Sequence, residues 1–406
     1  MGDTRQKWSG VVVLPSEEIA KGTVITEGDR IIWVGASTEI PIELSDTPNE
    51  DLPDGAVIIP GLIDVHCHGG GGASFPDSTS LQDVKTAASE HLKNGTTTLV
   101  ASLVTAPVDI LEQRATLLAK AVGEGIIEGI HFEGPFLSEA RCGAQDPRYL
   151  IPATPDVARR LVAAAGGKAV SMTIAPERAT GSEGREALEV LVRGDVLPSW
   201  GHTDSGIETA EEAVEAGLDL ISDKASPTRG GRATVTHLFN GMRPLHHRDP
   251  GPISVFLAAA ERGDVVVEMI NDGTHLDPQL VRQVLDIVGR DNAVFVTDAM
   301  AAAGMPDGDY VLGPQAVTVE GGVARLAEGG AIAGGTARLV DCVRTAVLKS
   351  GISLVDAVYL GTVQGAKILG LTDRGELAPG KRADLVVLDP GNLGVLRVIR
   401  GGELVA

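Results

Sequence analysis

The stretch VIIPGLIDVHCHG at residues 57–69 decides the fold class of this chain. Its β-branched and apolar residues end in two histidines, which is typical of a buried strand with polar groups at its carboxyl end. Seven further β-rich runs follow, with helical stretches between them, at residues 97–104, 129–133, 170–175, 197–201, 233–237, 265–270 and 293–297. Strands that alternate with helices predict parallel pairing, and eight of them predict a (β/α)8 TIM-type barrel of the α/β class.

The two ends of the chain differ from this middle part. They are rich in Gly, Pro and Val and contain short predicted strands at residues 23–27, 31–34, 384–388 and 395–399. We expect one small β-sandwich domain built from both termini, because chain ends often lie close together. Two separate β lobes are the less favoured alternative, since neither alone buries much surface. The predicted division is residues 1–56 with 372–406, and a barrel at residues 57–371.

Composition excludes several classes of function. The 406 residues include 34 Lys and Arg against 55 Asp and Glu, a net charge of −21, which argues against a nucleic-acid partner. No apolar run approaches the ~18 residues of a membrane span, and the first residues show no signal peptide. Three widely spaced cysteines predict no disulfide framework. We therefore expect a cytoplasmic protein without a membrane partner.

The barrel interpretation requires functional residues at the carboxyl ends of the strands. Histidines and acids stand there, and they are His66 and His68 in the first run, Glu133 in the third, His202 and His237 at the ends of the fifth and sixth, and His275 and Asp298 after the seventh and eighth. A lone histidine at a strand end is more often structural than a ligand. Packing does not explain so many histidines and acids at one rim of the barrel, because barrel interiors are filled with Val, Ile and Leu.

These side chains have the chemistry of a metal site. Residues two apart on a strand point to the same face, so His66 and His68 can share an ion while Cys67 points away. Imidazole and carboxylate ligands together suit Zn²⁺ or another divalent metal. Glu133 can bridge two ions, which would give a two-metal site for hydrolysis.

Other motifs favour plainer interpretations. The glycines at residues 69–72 lack the spacing and lysine of a phosphate loop, so we interpret them as a flexible rim. His91 and His131 are expected to be structural. Arg243, His246, His247 and Arg248 form a cluster that is either a solvated face or an anion site, with the solvated face slightly favoured. Residues 222–232 are predicted to be a surface loop.

Six motifs resemble the amidohydrolase superfamily and, within it, the family of N-acetylglucosamine-6-phosphate deacetylases. They are PGLIDVHCHG (60–69), HFEGPF (131–136), GHTD (201–204), THLFNGM (236–242), DGTH (272–275) and VTDA (296–299). The tail GELAPGKRADLVVLD (375–389) is similar to the closing β segment of the superfamily. The resemblance implies hydrolysis of the acetamide of N-acetyl-D-glucosamine 6-phosphate to D-glucosamine 6-phosphate and acetate, in amino-sugar metabolism and cell-wall sugar recycling.

The resemblance also implies the metal ligands. Glu133, His202 and His237 would hold the main ion, and His66, His68 and Asp298 would complete a second site, so one or two Zn²⁺ ions are expected. Asp298 would act as general base and then as general acid. Gln145 occupies the position where the family commonly has a histidine that polarises the acetyl carbonyl; an amide donates only a neutral hydrogen bond there.

Substrate contacts follow from the resemblance as well. The backbone of Asn240 and Gly241 and the side chain of Arg248 would hold the sugar phosphate, and His275 would reach across the interface of a homodimer. Further expected contacts are Ala144, Asp272, Ala333 and Gly334. Two alternatives stay open: another enzyme of the superfamily, either an N-acetylgalactosamine-6-phosphate deacetylase or a deaminase, and a non-catalytic assembly protein, which would be expected to have lost ligands.

Overall fold

The centre of the molecule is an eight-stranded parallel sheet in which spatial order follows chain order. The computed structural model describes residues 5–223 and 229–406. We number the barrel strands 1 to 8 along the chain: Leu62–Cys67, Thr96–Leu103, Gly129–Glu133, Ala169–Ile174, Leu197–Trp200, Ala233–Val235, Val265–Met269 and Ala293–Phe295. Strand 8 returns to strand 1 and closes the barrel. The Asp298 N–H donates to His66 O at 2.9 Å, and Cys67 and Ala299 form an isolated parallel β-bridge. The predicted (β/α)8 class is confirmed.

The barrel strands are buried on both faces. Every residue of strands 1 to 8 is buried, which is why the sequence shows continuous apolar runs instead of a strict alternation. Helices cover the outside; they are Leu81–Lys93, Val108–Gly123, Pro155–Ala164, Pro176–Ala179, Gly181–Arg193, Ile207–Ser222, Gly251–Glu261, Pro278–Val288, Leu339–Leu348, Leu354–Gly361 and Val363–Ile368. None of the helices in the described part of the chain is long and apolar enough to cross a membrane.

The termini join in one seven-stranded sheet. Its order is Glu403–Leu404, Val395–Arg400, Leu385–Leu388, Val57–Pro60, Arg5–Val13, Glu18–Glu27 and Arg30–Ala36. Trp8, Ile58 and Leu385 lie in its separate apolar core. The small β domain built from both ends is therefore confirmed as part of the fold class, while the residue boundaries given for the two domains stay a prediction.

The first predicted run proves to be two strands. Residues 57–65 were expected to form one barrel strand, but Val57–Pro60 pairs with the terminal sheet and Leu62–Cys67 begins the barrel. The break falls at Gly61, whose N–H donates to Asp384 O at 2.9 Å. A Cβ at this position would collide with Thr97, so only glycine lets the chain pass between the sheets.

The expected flexible rim at residues 69–72 is wrong. Gly69–Gly70 pairs with Ala73–Ser74 as a small hairpin, and the N–H groups of Gly71 and Gly72 donate to Ala303 and Ala301. Because its backbone groups are paired, this segment is a fixed part of the barrel mouth. Of the predicted loop at residues 222–232, residues 224–228 lie outside the described residues.

One element was missed in the sequence. A three-stranded antiparallel sheet, Gly308–Leu312, Gln315–Glu320 and Val323–Leu326, follows strand 8; we name it the mouth sheet. Its buried side chains, among them Leu312 and Val317, pack with Val104 and Met300 at the barrel mouth. The glycines of its turns, GP at residues 313–314 and GG at residues 321–322, are typical hairpin signals that could have revealed it.

Candidate active site

The six predicted ligands meet at the barrel mouth in two groups. In the first group, His68 Nε2 lies 3.1 Å from Asp298 Oδ1 and 3.0 Å from Glu133 Oε2. His66 Nε2 lies 3.4 Å from the same Asp298 oxygen and 3.1 Å from His68 Nε2. All four side chains are buried. We name this set the four-residue group.

The second group is built on the other oxygen of Glu133. His202 Nε2 lies 2.8 Å and His237 Nε2 3.0 Å from Glu133 Oε1, and the two imidazole nitrogens are 3.1 Å apart. We name Glu133, His202 and His237 the three-residue group. One carboxylate therefore serves both groups, with Oε1 facing one and Oε2 facing the other.

The donor atoms suit divalent metal ions. In each group the candidate ligand atoms lie within 4.8 Å of one another. The far nitrogens of three of the four rings have acceptors: His66 Nδ1 lies 3.0 Å from Glu268 Oε2, His68 Nδ1 3.2 Å from Ser102 O, and His202 Nδ1 2.8 Å from Arg141 O. In a neutral ring, a proton on any of these three Nδ1 atoms would leave the Nε2 lone pair free for an ion, which is the usual arrangement of metal-binding histidines. His237 Nδ1 is buried and has no hydrogen-bond partner among the described residues.

Glu268 is a further residue of the site that the sequence patterns did not reveal. It is buried in strand 7, where its Oε2 also accepts the backbone N–H of His237 at 3.3 Å. The signal was a single acid inside the apolar run VVVEMI at residues 265–270. A buried charge of this kind requires a partner, so its presence pointed to a polar contact inside the barrel.

The backbone turns sharply at three of the ligands. His202, His237 and Asp298 have φ values of 47°, 28° and 48°, in the left-handed region that non-glycine residues rarely adopt. Each of them lies just past the end of a strand. Strain of this kind clusters at functional sites and persists where the surrounding structure enforces it.

The charges of the ligands depend on one another. Burial alone would raise the pKa of Glu133, but hydrogen bonds from His202, His237, His66 and His68 hold it well below its usual value. Burial likewise opposes ionisation of Asp298, yet His68 and the charge of His66 lower its pKa to about 2. Both carboxylates are therefore ionised at neutral pH and require positive charge around them.

Gln145 lies against the shared carboxylate. Its Nε2 donates to Glu133 Oε2 at 2.8 Å, and its Oε1 accepts the Thr105 N–H at 2.7 Å. The side chain is 4% exposed. Gln145 is thus held at both ends of its amide and fixes the oxygen that faces the four-residue group.

A cavity of about 250 Å³ opens above the ligands. Six of the predicted substrate contacts line it, namely Ala144, Gln145, Asn240, Gly241, His275 and Gly334. Ala333 is buried beside it, and Arg248 is exposed outside it. Among the described residues that line this cavity there is no lysine or arginine.

Gly241 and His275 are placed by specific contacts. Gly241 has φ of 60°, and a Cβ there would lie 2.8 Å from His202 Nδ1, so the position requires glycine. His275 Nδ1 lies 2.8 Å from Asp272 Oδ2. Asp272 itself is not among the residues that line the cavity, so its contact with substrate stays a prediction. His275 was expected across a subunit interface; in this structure it lines the cavity of its own chain.

The two histidines expected to be structural have such contacts. His131 lies 2.9 Å from Ser102 Oγ and 2.8 Å from Thr173 Oγ1 through its two nitrogens. His91 Nε2 lies 2.8 Å from Gly69 O. Neither belongs to the four-residue or the three-residue group.

The barrel and its paired ligand groups define a metal-dependent hydrolase of the (β/α)8 type. The chain belongs to the amidohydrolase family, which matches residues 57–405. N-acetylglucosamine-6-phosphate deacetylase of Bacillus subtilis (strain 168) is 33% identical over 399 residues, 96% of this chain and 94% of that protein. The Homo sapiens protein of the same name is 32% identical over 362 residues, covering 86% and 84% of the two chains.

Solved structures agree with these relatives. A mutant N-acetyl-D-glucosamine-6-phosphate deacetylase from Mycobacterium smegmatis, in complex with N-acetyl-D-glucosamine-6-phosphate, has a TM-score of 0.89 and 36% identity, with all of both chains covered.

A relative by sequence has a different name. An N-acetylgalactosamine-6-phosphate deacetylase from Shewanella sp. (strain ANA-3) is 30% identical over 407 residues, 97% of this chain and 94% of that protein.

Proposed function

We propose that this protein hydrolyses the acetamide of N-acetyl-D-glucosamine 6-phosphate to D-glucosamine 6-phosphate and acetate, in amino-sugar metabolism. The observation that carries the proposal is the shared carboxylate of Glu133 between two imidazole groups at the floor of a cavity. The relatives with this name extend over nearly the whole chain, which supports the same substrate class.

The ligand groups are proposed to hold one or two Zn²⁺ ions. Nitrogen and carboxylate donors without thiolate suit this borderline ion. Cys67, the nearest thiol in sequence, turns away and lies 3.3 Å from His91 Nε2. When bound, such an ion polarises a carbonyl oxygen and lowers the pKa of water from 15.7 towards about 7.

Asp298 is proposed as the proton carrier. Its Oδ1 contacts the two histidines of the four-residue group, so Oδ2 is the atom free to take a proton from the attacking water. The same carboxyl then gives that proton to the leaving amine, which departs as glucosamine 6-phosphate. The low pKa of Asp298 keeps it ionised before the reaction starts.

Gln145 is proposed to assist at the acetyl carbonyl. Its amide nitrogen carries two hydrogens, of which one is donated to Glu133 Oε2. The second is assigned to the carbonyl oxygen, where it stabilises developing negative charge as a neutral donor. A neutral donor contributes less than a charged one.

The substrate phosphate requires donors from beyond the metal ligands. The backbone N–H groups of Asn240 and Gly241 and the imidazole of His275 are proposed for it within one subunit. Since Arg248 is exposed outside the cavity of its own chain, we propose a homodimer in which this arginine serves the cavity of the second subunit. That His275 reaches across the subunit interface stays a prediction.

The three free cysteines support a reducing compartment, and we place the protein in the cytoplasm.

A substrate panel tests the proposal. Acetate release is measured for N-acetylglucosamine and N-acetylgalactosamine, each with and without a 6-phosphate. We expect the glucosamine phosphate to react fastest; a preference for the galactosamine phosphate would favour the function of the Shewanella relative. Equal rates without phosphate would remove the roles of Arg248 and His275, and ammonia in place of acetate would indicate a deaminase.

A variant pair tests the proton carrier. Asp298→Asn should retain the fold and lower kcat by about 10²–10⁴-fold, the usual contribution of a positioned acid or base. Asp286→Asn, which loses only an exposed ion pair with Arg282, is the matched control. Wild-type turnover by Asp298→Asn would contradict the assignment.

A further inference from the structure

A second cavity is lined by the residues that follow Leu312, a residue of the active-site lining. It has a volume of about 300 Å³ and is lined mainly by apolar side chains of the second strand and the following helix, including Leu103, Val104, Ile110 and Leu111. Gly313 and Pro314 of the mouth sheet form its other side. Asp77, Arg114 and Tyr149 add polar groups to the lining, and the apolar side has room for several methylene groups.

We propose that Leu312 and Val104 form a partition that closes the acyl end of the active site and restricts the enzyme to acetyl substrates. This inference rests on the proposed deacetylase function. Leu312 lines the active-site cavity and Val104 lines the second one. Both side chains are nearly fully buried, at 3% and 4% exposed, and belong to one apolar cluster.

The chain next to Leu312 approaches Val104 closely. The residue after Leu312 is Gly313, and a Cβ added there would lie 2.6 Å from Val104 Cγ2. The turn of the mouth sheet therefore presses directly on Val104. Gly313 and Val104 both line the second cavity, whereas Leu312, one residue earlier in the chain, lines the active-site cavity of about 250 Å³.

The polarity of the active-site cavity sets the direction of the substrate. Its lining includes the polar groups of Asn240, Gly241 and His275 and the apolar side chains of Ala144, Leu312 and Ile332. The scissile amide has to lie over the metal ligands. With the phosphate at Asn240, Gly241 and His275, the proposal assigns the acyl group to the apolar side chains and its end to Leu312.

Shortening either side chain of the partition should join the two cavities. Leu312→Ala removes most of the wall from the active-site side, and Val104→Ala removes it from behind. A longer acyl chain could then pass into the apolar space. Pockets that are complementary to a short chain discriminate by about 10–200-fold per methylene, so this discrimination is what the variants should lose.

The experiment compares kcat/KM for N-acetyl- and N-butanoyl-glucosamine 6-phosphate. We expect the ratio of butanoyl to acetyl to rise at least 10-fold in Leu312→Ala and to rise also in Val104→Ala. Val317→Ala is the matched control, because Val317 is buried in the same cluster but lines neither cavity. Its ratio should stay at the wild-type value.

The outcomes separate the two hypotheses. Wild-type protein that releases no acetate overturns the proposed function and the partition with it. Wild-type activity with an unchanged ratio in both partition variants overturns the partition alone. If Leu312→Ala does not fold, as judged by its thermal unfolding, Val104→Ala decides the question by the same ratio. An equal rise in Val317→Ala would show general loosening of the mouth sheet and also overturn the inference.

Discussion

Replacing Gln145 by Met should weaken metal binding at the barrel mouth. Methionine keeps nearly the volume and length of glutamine, so the change removes the two amide hydrogen bonds without leaving a large cavity. One bond is the 2.8 Å contact from Nε2 to Glu133 Oε2, and the other is the 2.7 Å contact from the Thr105 N–H to Oε1.

The structure gives the expected magnitude. A hydrogen bond to a charged group contributes about 1.5–3 kcal/mol. If Glu133 moves away from its position between the two groups once that bond is lost, the full energy of the bond is lost from metal binding. About 1.4 kcal/mol corresponds to a tenfold change in Kd, so metal binding should weaken roughly 10–100-fold. Loss of a partner that orients a metal ligand typically has the same effect, about 10–100-fold. Because Gln145 contacts Oε2, the four-residue group should lose most.

The assay is a titration of the metal-free protein with Zn²⁺ against a chromophoric chelator, with elemental analysis for the number of ions bound. Gln364→Met is the matched control. Gln364 is also buried, but its Nε2 donates to Ala293 O, where strand 8 begins, at the opposite end of the barrel from the site. Wild-type affinity in Gln145→Met, or an equal loss in Gln364→Met, would refute the reasoning.

Three further perturbations have definite expectations. Gly241→Ala should lose metal from the three-residue group, because the new Cβ would lie 2.8 Å from His202 Nδ1. The control is Gly231→Ala, where φ is 69° and the space is open, so only the stability of the fold should fall. Equal metal content in the two variants would contradict this expectation. Burial by itself would lower the pKa of His275, but the hydrogen bond to Asp272 outweighs it, so the net pKa lies above the usual 6.5. The imidazole therefore stays charged somewhat above pH 6.5, and phosphate binding should weaken only as pH rises through the raised pKa. In Asp272→Asn, KM for the phosphorylated substrate should begin to rise at a lower pH than in the wild type. An unchanged pH profile of KM would exclude a role of the His275–Asp272 pair in phosphate binding. Chelation of metal should lower the free energy of unfolding by about 2.7 kcal/mol relative to protein at 100 times the metal Kd, as measured by denaturant titration; unchanged stability would show that the buried ligands do not bind it.

The alternation of strands and helices could be predicted from the sequence because it depends on local patterns. Buried parallel strands are short apolar runs, and seven of the eight predicted runs coincide with barrel strands to within two residues at each end. The first run differs because Val57–Pro60 and Leu62–Cys67 are both apolar. Only the close approach of Thr97 and the pairing with Leu385–Leu388 send them into different sheets.

The candidate ligands could be predicted for a related reason. A parallel barrel brings the carboxyl ends of all strands to one mouth, so the position of a residue at a strand end is enough to place it there. Glu268 could not be placed in this way, since it lies inside its strand. Its partner His66 is 202 residues away in sequence, and their contact exists only once the barrel has closed.

The net charge of −21 limits how this protein can bind a sugar phosphate. Long-range attraction of an anion requires an excess of positive potential, which the chain as a whole does not provide. The described lining of the cavity adds Glu133 and Asp298, both ionised, and no lysine or arginine. Under the proposed function, attraction comes from bound metal, from the backbone N–H groups of Asn240 and Gly241, from His275 and from Arg248 of a second subunit. Substrate affinity should therefore fall together with metal occupancy and with dissociation of the dimer, so that a monomeric variant would show a raised KM for the phosphorylated substrate and an unchanged KM for N-acetylglucosamine.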